Sequence, residues 1–63
     1  GRLSGIEVKA AASVDAKDFK GLRHLKETEP ERFTRGIVLY TGREIIPFAG
    51  DLFAVPMSVW WAR

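Results

Sequence analysis

The hydrophobic pattern of the chain is strongest at residues 37–40, where four large apolar side chains follow one another. Side chains alternate between the two faces of a strand, so an unbroken apolar run indicates a strand that is covered on both faces. We therefore predict a buried central strand over residues 33–40. A buried helix is the alternative, and Gly36 and Gly42 argue against it because they bound a run that is short for a helix.

The segment near the start of the chain has a different, alternating pattern. Ile6 and Val8 alternate with Glu7 and Lys9, which places the apolar pair on one face of a strand and the charged pair on the other. We predict this strand over residues 4–9, with small residues connecting it to the next element.

The segment between the two strands has helical spacing. Its apolar side chains recur every third residue, at Phe19, Leu22 and Leu25. Asp15 is a suitable N-cap, and Asp18 occupies the capping-box position three residues later. Pro30 disfavours helical geometry at the residue before it, so we expect the helix to begin at residue 16 and to end near residue 28.

The chain after the central strand begins with a turn signal. We expect Gly42 to take a left-handed conformation in a three-residue loop, so that residues 43–48 return as the hairpin partner of the central strand. Pro47 removes a ladder donor, which indicates an edge position or a nearby bulge.

The last predicted elements are short. Residues 49–51 form a turn, in which we expect Asp51 to play the usual turn role of an aspartate. Residues 52–55 form a strand, and Pro56 suits the first turn of a helix that we expect over residues 57–61.

Together these elements predict an α/β fold of the mixed α+β kind, in the order β-α-β-β-β-α. A strand, a crossover helix and a second buried strand form a right-handed unit whose two strands are parallel. We therefore expect a small mixed sheet with its first two strands parallel, in a single domain over residues 1–63.

The length of the chain limits its stability. A chain of 63 residues buries only about 60% of the surface that its unfolded form exposes, and the absence of cysteine excludes disulfides and thiolate metal sites. We therefore expect a C-terminal fragment of a larger protein, with the upstream part of that protein covering the open sheet face; a homodimer through that face is the alternative. No apolar run approaches the roughly 20 residues that span a bilayer, so we expect a cytoplasmic location and no membrane partner.

The first half of the chain is basic, with six Lys and Arg against three acidic residues over residues 1–26. The helix residues that could contact the phosphates of a nucleic acid are Lys17, Lys20, Arg23 and Lys26. An ordinary solvated helix face is the alternative, and Arg23 could instead pair with Glu27. We expect Trp60 or Trp61 to close the core; a stacking platform for bases is the alternative.

One pair of residues has a pattern that suits phosphodiester hydrolysis. Glu7 and Lys9 project to the same face of the predicted strand. A carboxylate helps to hold a divalent cation that activates water, and a lysine neutralises the phosphate. A salt bridge or two solvated charges is the alternative, because the motif Glu-x-Lys is very common.

Four segments carry a family resemblance: Gly-Ile-Glu-Val-Lys-Ala at residues 5–10, Asp-Phe-Lys-Gly-Leu-Arg-His-Leu at 18–25, Arg-Phe-Thr-Arg-Gly-Ile-Val-Leu-Tyr-Thr-Gly at 32–42, and Leu-Phe-Ala-Val-Pro-Met-Ser-Val-Trp at 52–60. They resemble the C-terminal end of a large prokaryotic family that pairs an N-terminal P-loop AAA-type ATPase with a C-terminal domain of unknown function. The order of a Glu-x-Lys strand, a helix and an apolar strand also resembles the second half of the restriction-endonuclease-like, PD-(D/E)xK fold.

This resemblance implies a nuclease-like C-terminal domain of an ATPase of uncharacterised function, in which Glu7 and Lys9 take the (D/E) and K positions. The acidic residue of the preceding strand and the ATPase domain would lie before Gly1, and the chain contains no Gly-x-x-x-x-Gly-Lys-[Ser/Thr] motif. We therefore expect no cofactor in the chain itself, Mg²⁺ at Glu7 only together with upstream residues, ATP in the missing domain, and an inactive fragment. The alternative is a non-catalytic module that binds nucleic acid or protein through the basic helix face.

Overall fold

A computed structural model describes residues 2–61 of the protein, with side chains up to residue 59. The element order confirms the sequence prediction. The strands are β1 (Leu3–Val8), β2 (Phe33–Tyr40), β3 (Ile46–Ala49) and β4 (Leu52–Pro56); the helices are a 3₁₀ helix (Ala16–Phe19) that continues into α1 (Lys20–Thr28), and α2 (Met57–Trp61). The prediction for the side chains of Trp60 and Trp61 lies outside the described residues.

Within residues 2–61 the sheet has four strands, in the order β1-β2-β4-β3. β1 and β2 are parallel, with Ile6 opposite Ile37, which confirms the predicted crossover through α1. β2 and β4 are also parallel, whereas β3 runs antiparallel to β4. β2 is therefore an inner strand of a mixed sheet, as the apolar run predicted.

The predicted hairpin between the central strand and residues 43–48 is wrong. β3 begins only at Ile46 and pairs with β4 instead of β2. The burial of the two strands agrees with the exchange: Leu52 and Ala54 of β4 are 2% and 0% exposed, whereas Ile46 of β3 is 39% exposed. The more completely buried strand takes the position beside β2, and β3 takes the edge, as Pro47 indicated.

The conformation predicted for Gly42 is also wrong, because no described glycine has a positive φ angle. The Tyr40 hydroxyl donates a hydrogen bond to the carbonyl of Glu44. A Cβ atom on Gly42 would overlap the Tyr40 ring. Gly42 is therefore needed because the chain passes closely under that ring, and not because it reverses direction there.

The core lies between α1 and one face of the sheet. Its buried members are Phe19 and Leu22 from the helical segment, together with Val38, Tyr40, Leu52 and Ala54 from the sheet. Close approach of α1 depends on glycine: a Cβ atom on Gly36 would lie 2.8 Å from Leu52 Cδ2 and 3.2 Å from Leu22 Cβ. A Cβ atom on Gly5 would overlap the Leu22 side chain in the same way.

The sheet face opposite α1 is more open. Ile6 and Val8 of β1 are 48% and 67% exposed, and the register places Phe53 on the same face as Ile6. Among the described residues, no helix is both long and apolar enough to cross a membrane.

Candidate nucleic-acid interface

Glu7 and Lys9 both lie on the side of the sheet that faces the helical segment. The Glu7 carboxylate lies beside Gly21 of α1. A Cβ atom on Gly21 would be 3.4 Å from Glu7 Oε1. Lys9 follows β1, and its backbone N–H donates to the Leu39 carbonyl at 2.8 Å. Glu7 and Lys9 therefore lie on the same side of the sheet, as the alternating pattern of apolar and charged residues predicted.

The side chain of Lys9 is engaged with a different carboxylate. Lys9 Nζ donates to Asp18 Oδ2 at 2.6 Å, and the backbone N–H of Asp15 donates to the same oxygen at 2.7 Å. The hydrogen bond from Lys9, followed by that from Asp15, lowers the pKa of Asp18 below its ordinary value. The ammonium group that was predicted to act on a phosphate therefore ties the end of β1 to the start of the helical segment.

Glu7 does not belong to a cluster of metal-ligating side chains within the described part of the chain. Residues 2–59 contain no group of three or more His, Asp or Glu side chains arranged to hold an ion. Mg²⁺ takes six oxygen ligands, usually one or two carboxylates together with waters and substrate phosphates. Glu7 alone therefore supplies at most a small part of a metal site.

Three of the four basic residues predicted on the helix lie together. A shallow depression of about 380 Å³ on the outer side of the helical segment contains Lys17, Lys20 and Arg23. Lys26 does not line this depression, and its ammonium group is paired with Asp51. We call this surface the basic face, and its lining residues are Ala16, Lys17, Lys20, Arg23, His24 and Glu27.

The three cations of the basic face are exposed and have no ion-pair partner among the described residues. The ion pairs of that part of the chain join Lys9 to Asp18, Lys26 to Asp51, and Arg32 to Glu29. The pair between Arg23 and Glu27 that the spacing allowed is not formed. Glu27 lines the same depression, but the three cations outnumber it. A cluster of exposed cations with net positive charge is the arrangement that attracts phosphate groups.

Lys26 lines a second, larger depression. This groove, of about 640 Å³, lies between α1 and the β3–β4 hairpin, and its lining residues are Arg23, Lys26, Glu27, Pro30, Phe48, Ala49 and Leu52. Lys26 Nζ donates to Asp51 Oδ1 at 2.9 Å. The role predicted for Asp51 therefore needs correction, because its carboxylate joins the turn after β3 to α1.

Residues 1–60 match the sequence profile of a domain of unknown function, DUF4143. The chain belongs to this family. No curated protein and no solved structure shows significant similarity to the chain. The DUF4143 assignment agrees with the resemblance to a prokaryotic domain of unknown function, and it carries no statement about catalysis.

Two features of this DUF4143 chain were not predicted as parts of a site. The first is the groove, because its walls come from α1 and from the β3–β4 hairpin, which are far apart in the sequence. The second is the parallel stack of Phe48 on Phe19, with ring centroids 4.3 Å apart and ring planes 6° apart. Phe48 was expected only as part of the returning strand over residues 43–48, and no local pattern distinguishes a core ring from a half-exposed one.

Proposed function

We propose that this chain is a non-catalytic module that binds nucleic acid, within a larger protein that also contains an AAA-type ATPase. The observation that carries the proposal is the basic face, where Lys17, Lys20 and Arg23 share one depression and lack ion-pair partners among the described residues. Contacts from Lys and Arg to phosphates supply affinity that does not depend on sequence.

The arrangement of Glu7 and Lys9 favours binding over catalysis. A catalytic lysine needs an amine that can reach the phosphate or the attacking water. Here the amine of Lys9 is held at 2.6 Å by Asp18, and the Asp18 carboxylate is also bound by a backbone N–H. Catalysis by this pair would therefore require the bond that joins β1 to the helical segment to break.

Membership of the DUF4143 family supports the part of the proposal that places this chain in a protein with an AAA-type ATPase. DUF4143 domains are typically found alongside AAA ATPase domains, and this chain has no P-loop motif of its own. In such a protein, ATP binding belongs to the ATPase domain. The module described here contributes contact with the nucleic acid on which the ATPase acts.

Binding of a short fluorescein-labelled DNA, followed by fluorescence anisotropy over a range of salt concentrations, tests this proposal. The double variant Lys17→Glu/Lys20→Glu should lower the affinity for DNA by about tenfold or more. It should also reduce, by about 2, the magnitude of the slope of log K against log salt concentration. The matched control Arg35→Glu/Arg43→Glu changes the net charge equally, at exposed positions outside the basic face. Equal losses for the two variants would show an effect of net charge alone and would contradict the proposal.

A second candidate is the nuclease-like domain implied by the PD-(D/E)xK resemblance. The observation that favours it is the parallel β1–α1–β2 crossover with Glu7 and Lys9 on one side. In the full-length protein, Mg²⁺ should then shift the amide NMR signals of Glu7 and Lys9 and leave those of the control residue Arg43 unchanged. Absence of a shift at Glu7 would remove this candidate and leave the binding module untouched.

A further inference from the structure

The groove between α1 and the β3–β4 hairpin has the size of a ligand site. Its volume of about 640 Å³ falls within the range of roughly 300–1,000 Å³ that is common for bound small molecules. Arg23 and Glu27 line both the groove and the basic face. A chain of phosphates that follows the basic face therefore passes the mouth of the groove.

Phe48 provides an aromatic surface inside this groove. Its ring is stacked in parallel on Phe19, which is 1% exposed, so the core holds the ring in place. Phe48 itself is 40% exposed. Phe19 covers one face of the ring, and the exposed fraction together with the position in the groove lining gives a second planar group access to the remainder of Phe48.

The charges of the groove favour a neutral ligand group inside it and a phosphate group at its rim. The ammonium group of Lys26 is neutralised by Asp51 at 2.9 Å. Arg23, at the border with the basic face, has no such partner among the described residues. The Glu27 carboxylate at the same border can accept a hydrogen bond from an exocyclic amino group.

We infer that the groove accepts an unpaired base of a single-stranded nucleic acid, stacked on Phe48, while the phosphates of the strand lie on the basic face. This inference rests on the proposed function and gives it a substrate class. Bases of an intact duplex are stacked on one another and cannot enter the groove, whereas single strands expose their ring faces to aromatic side chains.

The test compares three probes at one salt concentration: a single-stranded oligonucleotide, the same strand with abasic positions, and the corresponding duplex. The protein should bind the base-containing single strand on the order of tenfold more tightly than the abasic strand, because only the base can stack. The variant Phe48→Leu keeps apolar cover over Phe19 and should abolish this preference without changing affinity for the abasic strand.

Phe53→Leu is the matched control, since Phe53 lies in β4 on the opposite sheet face, and it should leave all three affinities unchanged. Upfield shifts of the Phe48 ring signals on addition of the single strand supply a second measurement in the unaltered protein. Equal binding of the three probes, with the loss caused by Lys17→Glu/Lys20→Glu retained, would overturn the groove assignment and leave the proposed function standing. Absence of binding to every probe would overturn both.

Discussion

At the residue scale, the contact between Lys9 and Asp18 links three parts of the chain. Asp18 Oδ2 accepts hydrogen bonds from Lys9 Nζ and from the backbone N–H of Asp15, while Asp15 Oδ1 accepts one from the backbone N–H of Lys17 at 3.0 Å. The capping box therefore also anchors the residue that follows β1. A single carboxylate stabilises both the beginning of the helical segment and its attachment to the sheet.

The lowered pKa of Asp18 gives stability a defined pH dependence. The folded state binds a proton at this group less readily than the unfolded state does. The contribution is therefore complete above the unfolded-state pKa of about 4 and is lost as the pH falls through the lower, folded-state pKa. Asp18→Asn should lower the urea midpoint at neutral pH and reduce the loss of stability between neutral and acidic pH.

Urea unfolding at several pH values measures this effect, with Glu31→Gln as the control. Glu31 is an exposed acid in the turn before β2, so its replacement should leave the neutral-pH midpoint nearly unchanged. The prediction for Asp18 would be wrong if both variants showed the same dependence on pH.

The sequence allowed the capping box to be predicted, because Asp15 and Asp18 are only three positions apart in a recognisable motif. It did not allow the partner of Lys9 to be predicted. Lys9 and Asp18 are separated by an irregular connection whose path depends on how α1 packs on the sheet. The same reason applies to Lys26 and Asp51, whose contact requires the positions of β3 and β4 to be known.

At the element scale, the position of α1 depends on the absence of side chains beneath it. Leu22 packs against Gly36 and Gly5 on neighbouring strands, so the helix lies closer to the sheet than any larger residue would allow. The local pattern predicted α1, β1 and β2 well, since each has its own periodicity. It failed for β3, because the choice of strand beside β2 depends on the relative burial of two competing segments.

Gly36→Ala should destabilise the protein by about 1–3 kcal/mol, because the added methyl group lies 2.8 Å from Leu52 Cδ2 and 3.2 Å from Leu22 Cβ. Gly50→Ala is the matched control, because a Cβ atom there meets nothing within 4 Å. We expect it to be neutral or to stabilise by up to about 1 kcal/mol. Urea denaturation of the two variants measures the difference in their free energies of unfolding. Similar losses of unfolding free energy at both positions would contradict the packing argument.

At the scale of the whole molecule, the two faces of the sheet differ in cover. α1 buries one face, whereas Ile6 and Val8 leave apolar surface exposed on the other. A small sheet with an exposed apolar face gains stability when another surface covers it. We propose that this face is covered by the upstream part of the parent protein or by a second copy of the chain, the two partners expected from the sequence.

For the isolated chain we predict self-association through the open face. Sedimentation velocity should show a shift from monomer to dimer as the concentration rises, and Val8→Lys should move this shift to higher concentration. Ile45→Lys is the control, because Ile45 is also exposed, at 58%, but lies in the turn between β2 and β3. A Val8→Lys variant that dimerises like the unaltered chain would exclude this face as the contact.

The strand order also has a consequence for the order of folding. β4 is the last strand in sequence, yet it lies between β2 and β3. A chain that has formed β1, α1 and β2 but has not yet docked residues 52–56 presents β2 with one bare edge, and β3 has nothing to pair with. Slow docking of β4 would leave the most apolar strand available to chaperones or to neighbouring unfolded chains.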